Sequence, residues 1–261
     1  MFKKKLMFKK KKSYPLNLIN ENLYLQQLNF IEKILDKYKS MKIIDDLNSL
    51  EFLRNKKIII CGNAGQGYIE NKSNIVIDNN DVVVRLNCYQ IIPSITGVKT
   101  TIHMVGTTNM SLIKNNTGNL IKLYPEFNKA NYALISNEKS FNTRLNTKIK
   151  QPLTIPIITF NISIIDKAIN ELTNYFFNKI GIRMTGCITL IFFLLIRKKI
   201  PFHIETIGFS KHELVNNNKQ TYYWGERIIP QNVVNYHLNH VFELQPLLIN
   251  YINELNKNKE N

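Results

Sequence analysis

The stretch KKIIICGNAGQGYIENKSNIVIDNNDVVVRLN, residues 56 to 87, carries the clearest structural pattern in the chain. Its short apolar run at residues 58 to 61 is rich in β-branched side chains and predicts a buried strand. Three glycines without a Cβ follow, where the backbone can turn sharply and approach a ligand: Gly62, Gly65 and Gly67. A second apolar run, residues 82 to 86, predicts another strand. Strand, glycine turn and strand is how α/β proteins build a ligand crevice at the carboxyl ends of their strands.

The order of these glycines disfavours two classes of nucleotide-binding protein. It is G-x-x-G-x-G, whereas dinucleotide sites use G-x-G-x-x-G and place an acidic residue after the second strand. The P-loop pattern G-x-x-x-x-G-K-[ST] is absent from the chain. The glycines by themselves are also compatible with a tight turn that binds no ligand.

Three sequence blocks, in order, resemble the large sialylmotif of the sialyltransferases related to the animal enzymes, glycosyltransferase family 29. They are Gly62-Asn63-Ala64, then Ile77-Asp78 with residues 81 to 87, and Gly97-Val98-Lys99-Thr100-Thr101. A later region resembles the small sialylmotif, whose core is Ser-Thr-Gly, a helix, and a strand that ends in Gly-Phe. It comprises Met184-Thr185-Gly186, an apolar run at residues 188 to 196, and a strand-like run that ends at Gly208-Phe209.

The resemblance implies an α/β fold, a Rossmann-like and mostly parallel sheet flanked by helices on both faces, in a variant of the GT-A glycosyltransferase fold. Residues 51 to 261 are expected to form a single nucleotide-sugar transferase domain. Residues 1 to 50 are expected to form a basic tail and a helical extension, because apolar side chains recur there at helical spacing.

The remaining elements are predicted from periodicity and turn residues. Strands are expected at residues 101 to 105, 131 to 136, 153 to 160 (a weak strand that contains Pro156) and 203 to 208, the last returning beside the first strand. Helices are expected at residues 162 to 177 and 188 to 196, and loops at 94 to 100 and 137 to 152, the latter on the acceptor side. His103 is predicted to be a hydrogen-bonded core histidine.

The resemblance also assigns a donor site for cytidine monophosphate (CMP). It places Gly62, Asn63 and Ala64 against the nucleotide, and Asn87 on its phosphate or ribose. Thr185 and Gly186 meet the cytidine or phosphate from the other side, because a glycine before a helix lets backbone N–H groups and the helix dipole face an anion. An ordinary helix N-cap by Thr185 is the alternative.

Two further motifs lie near the C-terminus. Residues 221 to 224, Thr-Tyr-Tyr-Trp, resemble the family's His-Tyr-Tyr run, with Thr221 in place of its histidine and Tyr222 expected to help close the site. Residues 236 to 245 resemble the last motif, a histidine followed five residues later by glutamate. Counting from His240 leads to Gln245, and an apolar pattern typical of a closing helix follows. His237 remains a competing candidate.

The implied chemistry is transfer of sialic acid, or a related nonulosonic acid, from its CMP derivative to a glycan or glycolipid hydroxyl, with inversion. The attacking hydroxyl needs a base near neutral pH, and histidine, with an unperturbed pKa of about 6.5, suits this role. His240 is the predicted base. No Asp-x-Asp triplet, the usual metal-binding carboxylate pair, occurs in the chain, so transfer is expected to need no metal and no cofactor. Asp78 and Asp81 are spaced too widely for that pattern and are expected to cap or close a loop.

The chain is strongly basic, with 35 Lys and Arg against 19 acidic residues and a net charge of +16, and seven lysines lie within residues 1 to 12. That lysine cluster has three interpretations: a solvated tail, a segment that contacts anionic lipid, or an arm that binds nucleic acid. No basic run interleaved with aromatic residues recurs, which disfavours nucleic acid. An inactive nucleotide-binding family member and a charge-driven binding protein for nucleic acid or anionic surfaces are the alternatives to the enzyme.

Cysteine use favours a reducing compartment, because three cysteines at irregular spacing suit neither a disulfide framework nor zinc. The resemblance implies a disulfide between the two sialylmotifs, but Lys57 or Ile58 and Pro201 occupy its places. Buried free thiols are expected at Cys61 and Cys187, although these two could also lie near each other. No signal peptide or membrane span is predicted. The expectation is a cytoplasmic protein, with peripheral contact at the inner membrane surface left open.

Overall fold

This computed structural model describes residues 18–63, 73–87, 89, 91–105, 111–114, 120–123, 129–136, 154–178, 185–209, 214–215, 219–222, 225–228 and 244–258. Ala64, His237, His240 and the predicted loop at 137 to 152 lie outside the described residues. Tyr222 is described in its backbone alone.

The strands and helices of the described residues are numbered in chain order. The strands are β1 Lys57–Cys61, β2 Val82–Leu86, β3 Ile102–Val105, β4 Ser111–Lys114, β5 Leu120–Leu123, β6 Tyr132–Ile135, β7 Ile157–Thr159, β8 His203–Ile207, β9 Leu214–Val215, β10 Lys219–Tyr222 and β11 Gly225–Ile228. The helices are α1 Leu18–Tyr38, α2 Ser73–Asp78, α3 Pro93–Thr96, α4 Ile162–Phe177, α5 Thr185–Arg197 and α6 Leu244–Lys257, with a 3-10 helix at Leu47–Leu53.

In the described part of the chain, six strands form a parallel sheet in the order β7-β6-β3-β2-β1-β8. The chain builds outward from β1 to β7 and then returns to lay β8 on the other side of β1. Cys61 at the end of β1 is aligned with Arg85 of β2 and with Ile207 of β8. This reversal creates a topological switch point at the carboxyl ends of β1 and β8, where open α/β sheets bind their ligands.

The sequence forms this sheet because its central strands are buried on both faces and therefore read as continuous apolar runs. All five residues of β2 and the last four of β1 are buried. Helix α5 follows the same logic, since every residue from Gly186 to Ile196 is buried and a helix that is apolar all round belongs in a core. Helix α4 begins where the side chain of Asn161 accepts a hydrogen bond from the backbone N–H of Ser163.

Helices cover both faces of the sheet, as predicted. Residues of α1, α4, α5 and α6 share one large core with Ile58, Ile60 and Val84. The opposite face holds a smaller cluster in which Ile59, Cys61 and Val83 pack with Ile77 of α2 and with Tyr89. No helix among the described residues is long and apolar enough to cross a membrane.

A second sheet was not predicted. Among the described residues it contains five strands in the order β5-β4-β11-β10-β9, and the paired strands are antiparallel. Its strands are short and several are polar, so they lack the apolar run that marked β1 and β2. Strand β4 also pairs with β11, which lies more than a hundred residues later, with Lys114 aligned to Glu226. The local sequence pattern of a strand does not indicate a pairing partner so far away in the chain.

Most predicted elements of the main sheet are confirmed within a residue or two of their expected ends. The helix at residues 162 to 177 has the predicted bounds, and β8 lies beside β1 as expected. The prediction of a loop throughout residues 94 to 100 is wrong at its start. Pro93–Thr96 forms one helical turn, because proline at the first helical position has the required φ and loses no hydrogen bond.

Candidate functional site

The first side of the candidate site is the turn after β1. The N–H of Gly62 donates to the carbonyl of Ile207 at 2.8 Å, which extends the pairing of β1 and β8 by one residue. A Cβ at Gly62 would overlap the carbonyl group of Gly208 and lie 3.2 Å from the ring of Phe209. Because backbone rather than a flexible side chain occupies that space, this position has no room for a larger residue.

The second side is the start of α5, where Gly186 meets the C-terminal helix. A Cβ at Gly186 would overlap the amide nitrogen of Gln245 and lie 3.2 Å from the Phe209 ring. Gln245 is buried in the first turn of α6. The two glycines thus share Phe209 as a neighbour. The prediction that Gly186 precedes the helix is wrong by a few residues, because α5 begins at Thr185 and Gly186 is its second residue. The structure brings together the predicted glycine turn, the start of α5 and the segment that follows His240.

Asn63 and Asn87 join the ends of β1 and β2. The side-chain amide of Asn63 donates to the carbonyl of Leu86 at 3.1 Å. Asn87, the next residue, has a left-handed backbone with φ of 50°, a conformation that asparagine tolerates better than most residues. Its N–H donates to the carbonyl of Met104 at 2.9 Å. Both predicted asparagines therefore lie at the carboxyl edge of the sheet, beside Gly62.

His103, on the neighbouring strand β3, holds the turn at Asn87 by a hydrogen bond. Its Nε2–H donates to the carbonyl oxygen of Asn87 at 2.5 Å, and Tyr89 packs edge-on at 4.9 Å between ring centroids. Burial, with a smaller contribution from the charge of Arg85, lowers the pKa of His103 to about 4, although the hydrogen bond to Asn87 opposes this. The ring is neutral near pH 7. The prediction of a hydrogen-bonded core histidine is confirmed.

Arg85 is a buried cation that the sequence analysis did not single out. Its Nε donates to Thr100 Oγ1 at 2.9 Å, and its Nη2 donates to the carbonyls of Thr96 at 2.7 Å and Lys99 at 2.9 Å. The guanidinium also lies 5.5 Å from the centre of the Tyr89 ring. One arginine thereby fixes the segment between α3 and β3. The available signal was a charged residue inside an otherwise apolar strand.

Asp78 and Asp81 close loops, as predicted. The carboxylate of Asp78 accepts from the backbone N–H groups of Val98 and Lys99 at 3.0 Å. Asp81 accepts from the N–H of Lys57 at 2.8 Å. Among the described residues, no group of three His, Cys, Asp or Glu side chains is arranged to hold a metal ion.

The thiol of Cys187 is unsuited to nucleophilic chemistry. Cys61 and Cys187 are both buried and form no disulfide with each other. Burial raises the pKa of Cys187 to about 12, so its reactive thiolate is scarce near neutral pH.

Six of the eight predicted site residues are in the described part of the chain. Gly62, Asn63, Asn87, Thr185 and Gly186 lie at the carboxyl edge of the sheet, with α5 beginning at Thr185. Tyr222 ends β10, where it is aligned with Gly225 of β11. Ala64 and His240 lie outside the described residues. Gln245 is a described residue of the histidine motif and follows His240 by five residues, at the place of the family's glutamate.

Comparisons with known proteins found similar solved structures but no matching family model or curated protein. No family model matches the chain, and no curated protein matches it. It is similar to a crystal structure of a mammalian sialyltransferase, with a TM-score of 0.45 and 16% identity over 86% of this chain and 84% of the other. A mammalian sialyltransferase in complex with Gal-beta-1-3GalNAc-ortho-nitrophenol gives a TM-score of 0.43 and 15% identity over 86% and 85%.

Proposed function

We propose that this chain is a glycosyltransferase that moves sialic acid, or a related nonulosonic acid, from its CMP derivative to a hydroxyl of a glycan or glycolipid. The observation that carries the proposal is that the Phe209 ring lies beside both Gly62 and Gly186, while Gln245 lies against Gly186. Three segments that resemble three sialylmotifs, far apart in sequence, converge at the switch point of a parallel sheet. That is the place where an α/β protein binds a nucleotide.

The donor nucleotide would lie between the turn at Gly62 and the start of α5. Gly62, Asn63 and Ala64 would contact it on the β1 side, and Asn87 would hydrogen-bond its phosphate or ribose. On the other side, Thr185 and Gly186 would present the N–H groups of the first turn of α5 to the phosphate. Helix α5 has 13 residues, long enough for a dipole that favours an anion at this end. Tyr222 would help to close the site.

His240 would act as the base. The acceptor hydroxyl oxygen forms a bond to the anomeric carbon of the donor while its proton passes to the His240 imidazole. The bond from that carbon to the phosphate oxygen breaks, and CMP leaves with the electron pair, so the configuration inverts. Gln245 supports this assignment, because it is the last residue of the histidine motif and lies against Gly186 in the first turn of α6. His103 is buried and neutral and instead holds a backbone turn.

We further propose that the transfer needs no divalent metal and that the transferase domain adopts a variant GT-A fold. CMP departs as a stable anion, and backbone N–H groups at the start of α5 can stabilise its negative charge. The chain has no Asp-x-Asp triplet to bind a metal beside the sugar nucleotide. Asp78 and Asp81 are already engaged by backbone N–H groups.

A transfer assay tests the proposal. The purified protein is incubated with CMP-sialic acid and a panel of galactose-terminated oligosaccharides in EDTA, and both free CMP and the glycan mass are measured. We expect sialylated product in EDTA and a loss of about 100-fold or more in His240→Ala, the usual size for a general base. His237→Ala is the matched control and is expected to keep its activity.

Three outcomes would contradict parts of this account. Loss of turnover in EDTA that Mg²⁺ or Mn²⁺ restores would overturn metal independence. A His237→Ala enzyme that is inactive beside an active His240→Ala enzyme would move the base to His237. Tight CMP binding without product from any acceptor would favour an inactive nucleotide-binding protein.

A further inference from the structure

Three buried side chains form a cluster beside the end of β2. Arg85, Tyr89 and His103 are each at most 1% exposed. Arg85 is aligned with Cys61 of β1 and with His103 of β3. Aligned residues of neighbouring parallel strands point to the same face of a sheet, so Arg85 and His103 lie side by side on the face that α2 and α3 cover. We call Arg85, Tyr89 and His103 the Tyr89 cluster.

Tyr89 is the member that contacts both of the others. Its ring lies edge-on to the His103 ring, with 4.9 Å between centroids, and the Arg85 guanidinium lies over it at 5.5 Å. The Nη1 of Arg85 is buried and forms no hydrogen bond with the described residues. A buried cation is costly when it lacks partners, and an aromatic face attracts a cation more strongly where water is excluded. The Tyr89 ring therefore stabilises a charge that the hydrogen bonds of Arg85 only partly satisfy.

The Tyr89 cluster holds the chain at two points after β2. At the first, His103 donates to the Asn87 carbonyl, while the Asn87 N–H donates to the Met104 carbonyl. At the second, two residues later, the Tyr89 side chain is buried against Arg85 and His103. The Asn87 backbone itself is left-handed, an uncommon conformation that persists where the surrounding structure holds it. The orientation of the Asn87 side chain therefore depends on both points.

Arg85 gives the Tyr89 ring a fixed surface to pack on. Its Nη2 donates to the carbonyls of Thr96 and Lys99. The carboxylate of Asp78 accepts from the N–H of Lys99 at 3.0 Å, so the same segment is held through both its carbonyl and its N–H groups. A planar guanidinium that donates several hydrogen bonds at once has little freedom to move. A shift of Tyr89 would therefore break its contact with Arg85, because Arg85 cannot follow.

We propose that Tyr89 is a positioning residue of the candidate site, which orients Asn87 toward the donor by anchoring the chain after β2 to Arg85 and His103. Tyr89 is buried, so it acts through Asn87 rather than by touching the donor. The proposal rests on the proposed function, in which Asn87 hydrogen-bonds the phosphate or ribose of the CMP donor. It adds the residue that sets the geometry of that hydrogen bond.

Hydrogen exchange tests the anchoring without any nucleotide. Tyr89→Leu removes the ring but keeps an apolar side chain, whereas Tyr89→Phe keeps the ring and both of its contacts. We expect the Asn87 N–H to exchange about tenfold faster in Tyr89→Leu, because its local opening no longer has to break the aromatic contacts. The Gly62 N–H, bonded to the Ile207 carbonyl, is the reference for overall stability and should change less. Tyr89→Phe should exchange like the parent chain.

CMP affinity tests the consequence for the donor. We expect Tyr89→Leu to weaken CMP binding by about threefold to tenfold, up to the loss expected for Asn87→Gly, and Tyr89→Phe to bind like the parent. The decisive measurement uses the double variant Tyr89→Leu/Asn87→Gly. It should bind CMP within about twofold of Asn87→Gly alone, because the side chain that Tyr89 positions is already absent. A merely structural role of Tyr89 would instead add its own loss of affinity.

Tyr38→Leu is the matched control. Tyr38 is 2% exposed and belongs to the large core on the other face of the sheet, where its hydroxyl donates to Glu171 at 2.5 Å. We expect this variant to lower the melting temperature as Tyr89→Leu does, without a selective change in the exchange of the Asn87 N–H or in CMP affinity. If Tyr89→Leu does not fold, Tyr89→Met takes its place, because an unbranched side chain adapts to the space left by the ring.

Two results would overturn the proposal. One is parental exchange of the Asn87 N–H in the folded Tyr89→Leu variant, and the other is an additive loss of CMP affinity in the double variant. Failure of the proposed function has a different signature. If the parent chain does not bind CMP while Tyr89→Leu still speeds exchange at Asn87, the donor site is wrong and the donor-orienting role falls with it, whereas the anchoring of Asn87 stands.

Discussion

The two faces of the parallel sheet are built from different kinds of residue. One face is covered by α1, α4, α5 and α6 and is almost wholly apolar. The other is covered near the crevice by the short helices α2 and α3 and contains Arg85 and His103, both buried. The apolar face supplies most of the buried hydrophobic area. On the polar face, buried side chains form hydrogen bonds that fix the turns at the candidate site. Mutations on the two faces should therefore differ in their effects on stability and on CMP affinity.

The largest expected effect lies on the apolar face. Phe192 is fully buried between Phe160 and Phe193, with ring centroids 5.2 Å away in each case. We expect Phe192→Ala to lower the free energy of unfolding by about 4 kcal/mol, because it removes a large apolar side chain and leaves a cavity. Urea denaturation measures this loss. The CMP affinity of the folded fraction should be unchanged. A large fall in that affinity would show that the apolar face also shapes the candidate site.

Acid should act through the polar face. The pKa of His103 is lowered to about 4 in the folded chain, against about 6.5 when unfolded. Between these values the unfolded state binds a proton that the folded state does not, so stability falls as the pH drops from about 6.5 to about 4, by about 3 kcal/mol. Urea denaturation at several pH values measures this slope.

His103→Gln provides the comparison for the acid experiment. Glutamine keeps an N–H donor for the Asn87 carbonyl but does not titrate, so its stability should fall less steeply in that pH range. Equal slopes for the parent and the variant would contradict the role assigned to His103.

Glycine replacements probe the two sides of the crevice. Gly62→Ala should cost about 2 to 3 kcal/mol, because its Cβ would overlap the backbone of Gly208. Gly186→Ala should cost about 1 kcal/mol, because the overlapping atom is the end of the Gln245 side chain and can move. Thermal unfolding gives the order of the two. If Gly186→Ala lowers stability more than Gly62→Ala, the Gln245 side chain cannot move aside as assumed.

The smallest effect on stability is expected at Asn87. Glycine accepts the φ of 50° without strain, and the hydrogen bond from His103 goes to the backbone carbonyl, so Asn87→Gly should change stability by less than about 0.5 kcal/mol. If the side chain contacts the donor, CMP affinity should fall about tenfold, which corresponds to one hydrogen bond to a charged group. Unchanged CMP affinity would leave Asn87 with a structural role alone.

The contrast between the faces also explains what the sequence revealed. The apolar face and the central strands were predictable, because continuous burial leaves continuous apolar runs such as residues 82 to 86 and 188 to 196. The close approaches of backbone and side chains at Gly62 and Gly186 were predictable, since glycine marks such positions directly. The interactions of Arg85 were not, because which carbonyls a buried guanidinium reaches depends on how α3 packs. The antiparallel sheet was missed because β4 and β11 find each other only in the folded chain.

The most direct test is calorimetric titration of the purified protein with CMP in EDTA, with uridine and guanosine nucleotides and NAD as controls. The account predicts selective binding of CMP without metal, weakened in Asn87→Gly. Binding of NAD alone, or of polyanions alone with a steep salt dependence, would contradict it, because the crevice between Gly62 and Gly186 would then not be a site for a cytidine nucleotide.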